Sequence, residues 1–336
     1  MRVAKPFALL TAVLLLAACG QSQPASTAEP PPVSREELAS VTLRVGDQKG
    51  GSQALLTAAG LLDDVPYRIE WSTFTSGPPL LEAASAGGID LGRVGNTPPI
   101  FAAAANARIA VVASSQGSTA GDTLLVPADS PLREVGELRG RTVAVAKGSS
   151  AHGQILYTLR RAGLSTKDVK LSFLQPADAY GAFTQGQVDA WAVWDPYSAQ
   201  AELEADARVL ADGTGTANGY TFIVAGTDAL ADAGRNAAIL DYVTRHARAE
   251  LWADAHREQW ARSWAAETGL AVEVASRAVE RGPDVPVPLD DEVVGSEQDL
   301  ADAFTDDGVL PGRVDFARFV DRRFTDDLEK IKDSSR

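Results

Sequence analysis

The run Ile89-Asp90-Leu91-Gly92-Arg93-Val94, then Gly95-Asn96-Thr97-Pro98-Pro99, then Ile100 to Ala107, decides the fold. It reads as a strand, a break and a helix, and the same order recurs on either side. Upstream, Val41 to Val45 breaks at Gly46 to Gly51 before a helical run from Ser52 to Leu62. Tyr67 to Thr73 breaks at Thr75-Ser76-Gly77-Pro78-Pro79 before Leu80 to Ala86. Downstream, Thr142 to Ala146 breaks at Lys147-Gly148-Ser149-Ser150 before a helix from about Ala151 to Ala162. Leu171 to Leu174 is followed by Gln175-Pro176-Ala177-Asp178 and a short helix to about Gln185. Alternating strands and helices of this length predict an α/β fold, with parallel sheets covered by helices.

The five breaks share a chemistry. Each places Gly, Ser, Thr or Asp at the start of a helix, and two continue with Pro, which a first helical turn tolerates. Each also falls at the carboxyl end of its strand, where open α/β sheets bind ligands. A helix N-terminus offers unpaired N–H groups and about half a positive charge. Several such ends facing one cleft would hold a compact anion without a large cationic patch.

Leu124-Leu125-Val126 is a strand running into Pro127 and Pro131, and Tyr220 to Ala225 is another, after the Gly/Thr-rich stretch 213–219. From about Asn236 to Glu267 the chain reads as almost continuously helical. The expectation is two lobes joined by crossing strands near 124–128 and 219–226. Lobe 1 then holds residues 41–126 and 220–336, completed by the C-terminal helices, and lobe 2 holds residues 127–219. Two lobes with a two-stranded hinge suit ligand capture by closure.

The chain has 336 residues, a formal charge of −14, one cysteine and three histidines. That length accommodates two domains. The acidic balance disfavours a nucleic-acid surface, and one cysteine excludes an internal disulfide or a cysteine-rich metal site. At the start, Arg2 and Lys5 precede an apolar run from Phe7 to Ala18, too short for the ~20 residues of a membrane-spanning helix. A basic start, short apolar core and small-residue end predict a secretory signal at 1–18. Its end, Leu16-Ala17-Ala18-Cys19, resembles the bacterial lipoprotein lipobox, which implies cleavage before Cys19 and lipid on that residue. Residues 19–40, with Pro30-Pro31-Pro32, read as a flexible tether. The lipid is then the expected membrane contact, on the extracytoplasmic face.

Enzyme motifs are near misses. No phosphate loop, nucleophile elbow or HExxH is present. Ser150 and His152 lie two apart on a helix and do not face each other, so they make a poor nucleophile and base. Trp252, His256, Trp260 and Trp264 share one helix face, read as packing onto the first lobe rather than as a ligand stripe. His246 reads as a solvated side chain, and the acidic pairs, Asp306-Asp307 among them, as solvated loops and caps.

Val45 to Gly50, Gly95 to Phe101, Lys147 to His152 and Val188 to Tyr197 together resemble the signature segments of aliphatic-sulfonate-binding proteins of ABC importers. Taurine-, nitrate- and thiamine-precursor-binding proteins belong to the same larger group. The resemblance runs in order over roughly residues 41–225. It implies a two-lobed periplasmic-binding-protein fold of type II and delivery of ligand to a permease driven by a separate ATPase. No cofactor is implied, and a monomer is expected. Carried over by position, Gln48, Ser76, Gly77, Asn96, Thr97, Ser149, Ser150 and His152 would line the anion site. Gln116 and Ser118 could add donors, while Trp194 and Asp195 would contact the organic part of the ligand, with Phe74 and Tyr197 nearby for stacking. For His152 the other reading is a first-turn residue packing on its lobe.

Asp47 stands where members of the group often have an aromatic residue. A carboxylate there should repel a sulfonate unless it turns away, pairs with Lys49, or meets an amino group on a taurine-like ligand. The expected function is a lipid-anchored, extracytoplasmic binding protein for alkanesulfonates. The alternatives are the same scaffold carrying taurine, nitrate or a thiamine pyrimidine precursor, an enzyme on the scaffold, and a sensory ectodomain.

Overall fold

Near the start of the described residues, Ser34 Oγ accepts from the Glu37 amide while the Glu37 carboxylate accepts from the Ser34 amide. This capping box starts helix α1 (Arg35–Ala39), whose Leu38 packs on the core. Residues 35–39, expected to belong to a flexible tether over 19–40, are helical because Ser34 and Glu37 satisfy the helix end locally. The computed structural model describes residues 29–334, so the signal at 1–18, Cys19 and the tether up to residue 28 lie outside the described residues.

Strand β1 (Thr42–Gln48), helix α2 (Ser52–Ala58), β2 (Arg68–Phe74), α3 (Gly77–Ser85), β3 (Leu91–Gly95), α4 (Thr97–Ala104) and β4 (Ile109–Gln116) follow the alternating order. The chain then enters β5 (Thr123–Val126), β6 (Thr142–Val145), α5 (Ser150–Arg161), β7 (Lys170–Phe173), α6 (Pro176–Thr184), β8 (Ala190–Val193), α7 (Tyr197–Glu204) and β9 (Arg208–Asp212). It returns through β10 (Tyr220–Gly226), α8 (Thr227–Ala231), α9 (Ala233–Ala255), α10 (Arg257–Thr268), α11 (Val272–Glu280), β11 (Val285–Val287), α12 (Asp291–Asp306) and α13 (Thr325–Ser334).

Two sheets result, in the orders β11-β4-β10-β3-β1-β2 and β7-β6-β8-β5-β9. β1 runs parallel to β2 and β3, while β10 is antiparallel to both β3 and β4. In the second sheet β6 is parallel to β7 and β8, and β5 is antiparallel to β8 and β9. Helices cover both faces of the inner strands, so β4 and β8 are buried almost throughout and carry no alternation, as strands covered on both faces do.

Sheet membership corrects the expected crossings. β5 belongs wholly to the second sheet and β10 wholly to the first. The chain passes between sheets at 117–122 and 213–219 instead, where Gly117 N–H donates to Gly219 O (3.0 Å) and Gly213 N–H to Thr119 O (3.2 Å). A Cβ on Gly219 would stand 2.5 Å from Gly117 O, and one on Gly213 2.5 Å from Thr119 O, so both places require glycine. Backbone groups in these short passages pair with one another rather than extending either sheet.

The helical stretch breaks at His256, dividing α9 from α10. Tyr242, Val243 and Trp260 join Leu43, Leu55 and Leu56 in the core against the first sheet. The next helices reach further than the first lobe. Ala199 of α7 is buried with Val274 and Ala278 of α11, and Leu156 of α5 with Leu300 and Phe304 of α12. Arg160 Nη2 also donates to Ala303 O at 2.7 Å. Asp307, read as solvated, is instead buried against Thr166 Oγ1 at the same contact.

Candidate functional site

Between the sheets lies a cavity of about 660 Å³. Its wall is made from the carboxyl ends of β1, β2 and β3 on one side, the starts of α5 and α6 and the end of β8 on the other, and the segment 118–122. This is where an open α/β sheet holds a ligand.

Of the residues expected there, Gln48, Gly77, Asn96, Ser118, Ser149, Ser150, Trp194 and Asp195 are on the wall, as are Phe74 and Tyr197. Ser76, Thr97, Gln116 and His152 are not. Ser76 and Thr97 are fully buried behind the wall, and the Thr97 hydroxyl donates to Asn96 Oδ1 at 3.0 Å. Gln116 Nε2 donates to Asn218 O at 2.9 Å, within the hinge. His152 packs among Phe101, Phe173 and Phe304, and its Nδ1 accepts from the Gly148 amide at 3.1 Å. Burial lowers its pKa to about 4, with Lys147 adding to the effect, so it is a neutral packing residue.

The helix ends are unequal donors. Asp47 is buried and accepts from the amides of Gln48 (2.9 Å), Ser52 (2.8 Å) and Gln53 (2.9 Å), which takes up the N-terminus of α2. It lines the cavity, but its oxygens are taken up by these amides and not by Lys49. Burial raises its pKa, opposed by these three bonds and by Arg93. In α3 and α4, Pro78-Pro79 and Pro98-Pro99 remove two amides from each first turn. The least depleted ends are α5, where the amides of Ser150 and Ala151 have no acceptor within the helix, and α6. Among side chains, Gln48 Nε2 donates to Arg93 O, Ser149 Oγ to Ala146 O and Asn96 Nδ2 to Asn218 Oδ1. Among the described residues, the Ser150 hydroxyl, opposite Gly95, donates to no protein acceptor, and the Ser118 hydroxyl only accepts, from the Ala120 amide.

Charged residues on the wall form a pattern that sequence reasoning missed. Arg93 pairs with Asp284, lies 3.6 Å from Glu250 and donates to Thr221 Oγ1 at 2.9 Å. Arg281 grips both oxygens of Asp195 (2.8 and 3.0 Å) and also pairs with Glu202. Asp195, expected to face ligand, is thus engaged by Arg281 and by the Ala199 amide. Arg93 sits mid-strand in an apolar run and Arg281 after a surface-type helix, so only the tertiary fold brings them to one cavity. Trp260 and Trp264, stacked at 5.4 Å, pack on the core as expected and also form part of the wall.

His246 is buried, against expectation, because α9 lies flat on the first sheet. Its Nε2 is 3.1 Å from Ser52 Oγ and its Nδ1 3.5 Å from Glu250 Oε1, while Ser115 Oγ donates to Glu250 Oε2 at 2.6 Å. The order serine–histidine–carboxylate resembles a hydrolase relay. Its electrostatics differ: burial lowers the His246 pKa to about 3, with Arg93 contributing, and raises that of Glu250 to about 7. Among the described residues, no three His, Cys, Asp or Glu side chains are grouped to hold a metal, and no helix is long and apolar enough to cross a membrane.

Comparison with known proteins agrees with this fold. The NMT1-like family matches residues 52–271. A protein of Escherichia coli (strain K12) named for binding aliphatic sulfonates is 38% identical over 283 residues, covering 83% of this chain and 88% of its own. The alkanesulfonate-binding protein of Xanthomonas axonopodis pv. citri, solved bound to MOPS, superimposes with a TM-score of 0.77 at 36% identity, over 84% of this chain and 98% of that one. The periplasmic aliphatic sulphonate binding protein of Escherichia coli gives a TM-score of 0.73 at 36% identity, over 83% and 97%.

Proposed function

Given that the chain belongs to the NMT1-like family, we propose that it is an extracytoplasmic binding protein that captures aliphatic sulfonates for import by an ABC transporter. The observation that carries this reading is the meeting of Gly77, Ser149 and Ser150 on one cavity wall, with α5 presenting its free amides. A sulfonate is a compact anion with three acceptor oxygens. The amides of Gly77, Ser150 and Ala151 and the hydroxyls of Ser150 and Ser118 replace its water shell with fixed donors. Arg93 supplies positive charge at the same wall. The organic part of the ligand lies against Trp194, Tyr197, Trp260 and Trp264. Capture involves no covalent step: lobe closure excludes water and holds the ligand for a permease. The chain works as a monomer and is held at the membrane by lipid on Cys19.

The test is calorimetric titration of the full chain in mild detergent with ethanesulfonate, longer alkanesulfonates, taurine, sulfate, nitrate and a hydroxymethylpyrimidine. Saturation at 100 times Kd adds ~2.7 kcal/mol to the folded state, which a thermal shift reads as well. Binding of sulfonates but not sulfate supports the reading. Binding of nitrate or the pyrimidine alone replaces the cargo.

Ser52, His246 and Glu250 favour one other reading, a hydrolase. Asp47 already holds the Ser52 and Gln53 amides, the donors from which an oxyanion hole beside Ser52 would be built. Turnover of p-nitrophenyl acetate that is lost in Ser52→Ala would establish it, and absence of turnover would remove it.

A further inference from the structure

Four of the six carboxylates that line the cavity have a partner. Asp47 has three amides, Asp195 has Arg281, Asp284 has Arg93 and Thr221, and Glu250 has Ser115 and Arg93. Asp178 stands exposed at the rim on α6. Asp122, on the first crossing segment, lines the cavity with no hydrogen bond or ion pair to its side chain among the described residues. Burial raises its pKa to about 7, and the charges of Asp195 and Asp284 add to the shift. Glu250, also on the wall, is 3% exposed, and its Oε1 accepts no hydrogen bond, with Arg93 Nε at 3.6 Å and His246 Nδ1 at 3.5 Å. The wall as a whole carries six carboxyl groups against Lys49, Arg93 and Arg281. A ligand that brings only negative charge worsens this imbalance.

We propose that Asp122 is a specificity-determining residue that pairs with a protonated amine in the organic part of the ligand, so that the preferred cargo is a zwitterionic aminosulfonate. This rests on the sulfonate reading above. The anionic end occupies the donors at α5 and the ammonium meets Asp122, leaving the net charge of the closed cavity unchanged. The tryptophans of the wall offer aromatic faces that favour a cationic group over a neutral one. A plain alkanesulfonate of the same length leaves Asp122 unmatched, and the carboxyl then takes up a proton as the site closes.

The experiment compares 3-aminopropane-1-sulfonate with propane-1-sulfonate, by calorimetry on the full chain in mild detergent. Titrations near pH 7.5 use two buffers of different ionisation enthalpy. The expected result is at least tenfold tighter binding of the aminosulfonate, with proton uptake seen only for propanesulfonate. In Asp122→Asn the aminosulfonate weakens at least tenfold, propanesulfonate tightens and its proton uptake vanishes, so the preference reverses. Equal affinities in the wild-type chain overturn the proposal without any variant. So does an Asp122→Asn chain that weakens both ligands alike. If neither ligand binds the wild-type chain, the sulfonate reading itself fails, which is a different result.

Discussion

Asn218 Nδ2 donates to Glu297 Oε1 at 2.8 Å, tying the second crossing segment to α12. The Oδ1 of the same Asn218 side chain accepts from Asn96 Nδ2 at 2.7 Å, so the cavity wall, the second crossing segment and a C-terminal helix share one side chain. The other oxygen of Glu297 is buried with no partner, and burial holds its pKa up at about 8. In the unfolded chain a glutamate titrates near ~4.3. Between those values the folded state binds more protons than the unfolded one, so this group's stabilisation is full below about pH 4.3 and is lost as pH rises towards 8.

Glu297→Gln keeps the acceptor for Asn218 and abolishes the titration. The fall in Tm between pH 5 and pH 8 should shrink by about 3 °C or more in the variant. Scanning calorimetry across that range checks it, and parallel curves for the two chains would refute the assignment.

Arg281 and Asp195 make a pair in which both side chains are nearly covered. Removing one member leaves the other charge with poor solvation, at a cost of ~3 kcal/mol. Arg281→Ala should therefore destabilise more than the double change Arg281→Gln with Asp195→Asn, which removes both charges together. Urea denaturation of the two variants decides this, since a double variant destabilised as much as Arg281→Ala would contradict a direct pair.

Asp47 holds the start of α2 through the Ser52 and Gln53 amides and also accepts from the Gln48 amide of β1. Asp47→Ala should lower stability by ~1–2 kcal/mol, as loss of an N-terminal cap does. The ratio of taurine to ethanesulfonate affinity should stay the same, because this carboxylate is turned into the backbone. A changed ratio would return Asp47 to the ligand.

Trp264 lines the cavity beside Trp260. Removal of ~60 Å² of apolar contact at ~25 cal/mol per Å² corresponds to about tenfold in affinity. Trp264→Ala should cost that much for octanesulfonate and less than threefold for ethanesulfonate. Equal losses for both chain lengths would place the indole against the anionic end instead.

The alternating order and the cavity's position were legible because each strand, break and helix carries its own local signal. Ile109 to Gln116 escaped notice because β4 is buried along nearly its whole length, so it lacks the alternation that marks a half-exposed strand. The loops Gly77, Asn96, Ser149 and Ser150 reached the wall as expected, since strand ends and helix caps are read from neighbours in sequence. Ser76, Thr97 and His152 show the limit of position alone: each lies one or two residues from a wall residue but on the inward side of its helix. The partners of charge were hidden entirely. Arg93 meets Asp284, and Arg281 meets Asp195, across separations that only the folded chain closes.

The backbone bonds from Gly117 to Gly219 and from Gly213 to Thr119 have a mechanical consequence. Two independent connectors would let one lobe swivel about either of them, giving slack in several directions. Rungs between the connectors turn them into a single narrow ribbon, stiff within its plane and compliant mainly across it. The lobes then have one easy direction of travel, like a leaf spring, and a ligand bridging the cavity has only that one displacement to arrest.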